Sequence, residues 1–102
     1  MSKQNNLTRE LNKLNEYEAD ALAAILREYR SAKRKHPNWP DDLVYASAIV
    51  NEEAGELTKE CLQFHCEGGD LSMAGERFDR ICAESTQVGA MGLRFLVNLI
   101  HG

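Results

Sequence analysis

Proline, cysteine and long apolar runs are all scarce in this sequence, and each scarcity argues against a class of protein. Two prolines among 102 residues, with no strand-like alternation of apolar and polar side chains, argue against an all-β domain. Three cysteines are an odd number, so Cys61, Cys66 and Cys82 make no complete disulfide set and read as buried free thiols on helices. Cys61 and Cys66 bracket His65, but a structural zinc wants a second ligand pair that the sequence does not offer. No apolar stretch approaches the roughly 18–20 residues that span a bilayer. The start, Met1-Ser-Lys-Gln-Asn-Asn, has no apolar run either, so neither membrane nor a secretory leader is expected. Basic excess is missing too. Sixteen acids against twelve lysines and arginines give a net charge of −4, which argues against a dedicated nucleic-acid binder.

What is present points to helices. At 43% hydrophobic the chain has material for one core, and its length leaves no room for a second. The expectation is a single all-α, cytoplasmic domain over residues 1–102, frayed over about residues 1–6. Punctuation divides it into three long segments. In the first, over 7–35, Leu7, Leu11, Leu14, Leu22, Ile25, Tyr29 and Ala32 recur at helical spacing, and Pro37 turns His36 away from helical dihedrals. Asp41 and Asp42 offer N-cap chemistry to the second, over 41–67, which Gly68 and Gly69 end. Ser72 is the candidate cap of the third. Helices of such length, roughly 40–45 Å, form a slender hairpin or bundle with uncovered apolar stripes. Self-association into a homodimer or homotetramer is therefore expected. Gly89 and Gly92 in the third segment, with Ser85, permit close helix packing or mark a bend.

The acids carry the chemical information. On the second helix Glu52, Glu53, Glu56 and Glu60 fall within one arc of roughly 100°. Glu53 and Glu60 border the apolar stripe, while Glu52 and Glu56 stand further out. Like charges at these spacings repel, and a hard divalent cation would neutralise them. A solvated acidic face gives the same pattern. On the third helix Glu84 lies inside the stripe Ile81, Val88, Met91, Phe95 and Leu99. A carboxylate there needs a partner, either an arginine such as Arg80 or a cation, unless the stripe is broken and exposed. Beside it run Arg80, Gln87, Arg94 and Asn98, donors suited to a phosphate-bearing ligand and equally to an ordinary polar rim.

The run Ala48-Ile-Val-Asn-Glu-Glu-Ala-Gly-Glu-Leu57 resembles the Glu-Glu-x-x-Glu metal motif of the MazG-like, all-α nucleoside triphosphate pyrophosphatases. Glu84-Ser-Thr-Gln87 stands where that family carries Glu-x-x-Asp on the next helix. The likeness covers about residues 36–99 and is strongest to small, phage-type members. It implies hydrolysis of a nucleoside triphosphate to the monophosphate and pyrophosphate with Mg²⁺, or Mn²⁺ in its place. Carried over, Glu53 and Glu56 are the first ligand pair, Glu52 ligates or supports them, and Glu84 is the second-motif ligand.

The sequence departs from the family at Gln87, where an amide replaces the aspartate, keeping an oxygen ligand but losing a charge. A C-terminal basic segment that many members use on the phosphates is not expected to contribute. Lys59, Arg80, Arg94 and Asn98 are the candidate substrate contacts; the basic run 27–35 is either a substitute from a neighbouring subunit or, more simply, a set of cations that complement a helix C-terminus. Trp39, Tyr45, Phe64 and His65 either flank a nucleobase or simply pack. The competing reading is a non-catalytic helical relative that binds a nucleotide or a protein and keeps the fold but has a weakened metal site.

Overall fold

The computed structural model describes residues 3–68 and 75–101, with side chains from residue 6 onward, and every regular element among them is an α-helix. The order is α1 (Lys3–Leu11), α2 (Glu16–Lys35), α3 (Leu43–Cys66) and α4 (Glu76–His101).

The expected first segment is two helices, not one. Asn15 accepts from the Glu18 backbone N–H at 2.8 Å, and the Glu18 carboxylate accepts from the Asn15 N–H at 2.9 Å. This capping box satisfies N-terminal amides and restarts the helix, so α1 stops at Leu11. Residues 3–6, expected to fray, belong to α1. Asp42 caps α3 by accepting from the Tyr45 N–H at 3.0 Å. Gly68 leaves α3 at φ 108°, a left-handed conformation that a Cβ would disfavour. The expected stop at Gly69 and cap at Ser72 lie outside the described residues.

α4 packs against both α2 and α3. Ala32, Ala90 and Met91 form the small core, with Tyr29, Trp39, Ile49 and Val50 packed on it. Gly89 marks a close approach: a Cβ there would sit 2.7 Å from Ile25 Cδ1 and 2.9 Å from its Cγ1. A Cβ at Gly92 would meet nothing within 4 Å. Between α4 and the end of α3, Arg77 bonds Glu67 at 2.9 Å and also pairs with Glu60, which removes Glu60 from the acidic arc. The molecule measures 49 × 35 × 20 Å with a radius of gyration of 15.9 Å. A compact domain of this length has about 13 Å, so the shape is elongated. Leu43, Val44, Tyr45, Leu62, Leu96, Leu99 and Ile100 are exposed. The cysteines are free but exposed, not buried as expected: Cys61 and Cys66 on α3 and Cys82 on α4 stand on solvent-facing sides of their helices. No helix among the described residues is long and apolar enough to cross a membrane.

Candidate functional site

A cavity of about 490 Å³ lies where α2, α3 and α4 meet the loop before α3. Helical spacing explains which side chains reach it. α4 contributes Glu84, Gln87, Met91 and Arg94, at i, i+3, i+7 and i+10 on one face. α2 contributes Glu28, Ala32 and Lys35; α3 contributes Ile49 and Glu53; and the loop brings His36, Asn38 and Trp39.

Glu53 and Glu84 are half-buried, and neither side chain has a hydrogen bond or ion pair among the described residues. Burial pushes the Glu53 carboxyl above the ordinary carboxylate range, and the charges of Glu84, Glu52, Glu56 and Glu28 push it further. Five acids from three helices thus share one field. The arrangement matches the sequence expectation that Glu53 borders the apolar stripe while Glu52 and Glu56, both exposed here, stand outside it.

Gln87 is where the structure changes the picture. Its Nε2 donates to Glu28 Oε1 at 2.7 Å, joining α4 to α2. An ionised carboxylate only accepts, so the nitrogen of the amide must face it. The side chain expected as a bare oxygen ligand is therefore tied to an acid the sequence reading did not single out. Glu28 was legible by the argument used for Glu84, since it stands between Ile25 and Ala32 on the apolar stripe of α2.

The expected substrate contacts disperse. Lys59 is on an outer groove with Leu62 and Cys66. Arg80 is exposed and pairs with Glu76 one turn back at 3.4 Å. Asn98 donates to the Arg94 carbonyl at 2.8 Å and lines a separate cavity with Trp39 and Leu99. Arg94 does line the site, but it is only 4% exposed and donates to the carbonyls of Ala32, at 3.4 Å, and His36. Its charge closes the C-terminal end of α2, where the helix dipole is negative. Lys35 is a cation of the lining without an ion pair among the described residues, and it comes from the same chain's 27–35 run rather than a neighbour's. Of the aromatics, Trp39 bounds the cavity; Tyr45 is exposed on α3 and lines a different groove.

The donor set suits a hard divalent cation in chemistry: three carboxylates, Glu28, Glu53 and Glu84, and two amides, Asn38 and Gln87, lie on one cavity. Its side chains are not closed on a point. No group of three or more His, Cys, Asp or Glu among the described residues is arranged to hold a metal, so ligation would require side-chain rotation. No protein-family model, curated protein or solved structure matches the chain.

Proposed function

We propose that this protein is a divalent-metal-dependent nucleotide pyrophosphohydrolase, converting a nucleoside triphosphate to the monophosphate and pyrophosphate. The observation that carries the reading is the half-buried pair Glu53 and Glu84, without a cationic partner among the described residues and with the Glu53 carboxyl raised by burial and then by the neighbouring acids. Such a pair is unfavourable unless a cation or a proton neutralises it. The resemblance of 48–57 and 84–87 to the MazG-like motifs supplies the chemistry that this charge would serve.

On this reading Glu53 and Glu84 hold Mg²⁺ or Mn²⁺ across α3 and α4, with Glu56 one turn along α3 and Glu52 adding charge. Bound there, the ion supplies polarisation of the phosphate oxygens and a more acidic water. Lys35 meets the phosphate charge at the end of α2. Arg94 and Trp39 keep that end of the cavity in shape rather than binding substrate themselves.

Self-association belongs to the same proposal. Among the described residues no large side chain is fully buried, and Leu43 and Leu99, 58% and 55% exposed, line a flank of α3 and α4 that meets the site at Trp39. A second copy covering this flank completes a four-helix arrangement, as a dimer or within a tetramer.

One observation favours the binding-only alternative: Gln87 is engaged by Glu28, and the carboxylates are not closed to ligating distance. Pyrophosphate release from a panel of nucleoside triphosphates, with Mg²⁺ and with chelator, separates the two, and thermal melts in the same conditions test the metal site. Binding to the native state alone raises the melting temperature with metal concentration, and Glu53→Gln should remove that rise. A melting temperature unchanged by metal contradicts the enzyme reading.

A further inference from the structure

α1 takes no part in the packing that joins α4 to α2 and to α3. Every side chain from Asn6 to Lys13 is exposed, with Leu7 at 57% and Leu11 at 45%. These two leucines stand at i and i+4 on one face, and Leu14 continues the spacing at i+7. A helix of nine residues is too short to hold itself in water without something to pack on. The Asn15–Glu18 capping box sets where it ends, and no neighbouring helix covers it.

An uncovered groove of about 340 Å³ runs between α3 and α4, lined by Ser47, Val50, Asn51, Ala54, Gly92 and Phe95. No residue of the lining is charged and none belongs to α2. Gly92 deepens the groove: a Cβ there would meet nothing within 4 Å, so the glycine serves no contact inside the chain.

We propose that α1 of one copy lays Leu7 and Leu11 in the α3–α4 groove of a second copy, and that the exchange is reciprocal. The three packed helices of each chain then gain their fourth from the partner. This rests on the self-association proposed above and is independent of the metal-dependent reading.

Shape favours this occupant. Two grooves set face to face leave a void, whereas a ridge of leucines at i and i+4 fills one, which is how an amphipathic helix docks. Reach excludes the chain's own arm. α2 runs beside α4 in the same direction, since Glu28 meets Gln87, and Ala32 and then His36 meet Arg94. The start of α2 therefore lies towards the start of α4, while roughly 24 Å of helix rise separate Glu76 from Gly92. α1 is about 14 Å long. Area fits a dimer. The chain exposes 7788 Å², whereas a compact monomer of 11.5 kDa exposes about 5800 Å². The excess of about 2000 Å² is more than the roughly 800 Å² that each partner contributes to a standard interface.

Sedimentation equilibrium of the full chain tests the exchange. The double variant Leu7→Glu with Leu11→Glu should weaken self-association by at least about 100-fold, tenfold or more for each leucine kept out of the groove. Both positions are exposed in the single chain, so its helix content and its melting temperature at high dilution should match the parent. Gly92→Leu fills the groove from its own chain and should weaken association comparably. An equimolar mixture of the arm variant and the groove variant should recover a mixed dimer, because it restores one intact arm in one open groove.

An arm variant that associates like the parent overturns the proposal and leaves self-association through another face standing. Weakening by both variants with no recovery in the mixture also overturns it, since the arm then docks elsewhere. A parent protein that stays a single folded chain overturns the exchange and the self-association together.

Discussion

The guanidinium of Arg94 lies over the ring of Trp39, 5.0 Å from its centroid. The same group donates to two backbone carbonyls at the end of α2, so one side chain of α4 holds the last turn of a second helix and the loop that follows it. Arg94→Ala should therefore act on stability. Hydrogen bonds to a charged group contribute roughly 1.5–3 kcal/mol each where buried, and the stacked ring adds to that. A loss of about 2–4 kcal/mol in urea unfolding is expected. Arg94→Lys should recover only part, since an ammonium cannot bridge both carbonyls in a fixed plane.

Gly89 and Gly92 should respond with opposite sign. Alanine at Gly89 puts a Cβ against Ile25, and overpacking costs roughly 1–3 kcal/mol, more than the helix propensity it gains. Gly92→Ala meets open space and should stabilise by about 1 kcal/mol. Thermal or urea melts of the two variants check both. A destabilised Gly92→Ala at high protein concentration only would show a second copy packed closely on that position.

The raised Glu53 carboxyl gives a pH dependence whose sign follows from proton binding. The folded state holds the proton to higher pH than the unfolded chain does, so folding is favoured by low pH at this group. In chelator, that contribution is present in acid and is lost as pH rises from the ordinary glutamate value of 4.5 through the raised folded value. Parent and Glu53→Gln should thus converge at the acid end and separate towards neutrality, with the glutamine variant the more stable. Urea midpoints of both proteins between acid and neutral pH measure the difference. Parallel profiles would mean that Glu53 carries no unfavourable charge.

Much of the site was legible in the amino-acid order because it depends on helical phase. Glu84 inside an apolar stripe, Glu53 at the edge of another, and the cap at Asp42 are all local patterns, and the structure places each accordingly. The break before α2 was equally local: Asn15 and Glu18 form a capping pattern, but the leucines at 7, 11 and 14 continue the helical spacing across it. What helical phase could not reveal is pairing between distant segments. Arg94 reads as a free phosphate donor until the carbonyls of Ala32 and His36 are found 62 and 58 positions away. Gln87 reads as a ligand until Glu28 is opposite it. The orientation of α2 against α4 decides both.

The proposed self-association would cover the exposed flank that carries Leu43 and Leu99. Sedimentation equilibrium at micromolar concentration should return a multiple of the 11.5 kDa chain mass. Leu99→Glu, which places a charge on that flank, should shift the population towards the single chain. A folded single chain in the parent protein would contradict the proposed assembly.

Metal-dependent hydrolysis is decided by pyrophosphate release from a panel of nucleoside triphosphates, measured with Mg²⁺ and with chelator. The expected result is release of pyrophosphate and the matching monophosphate from at least one of them, dependent on the metal and abolished by Glu53→Gln and by Glu84→Gln. No release from any member of the panel by a folded, Mg²⁺-bound chain would contradict it.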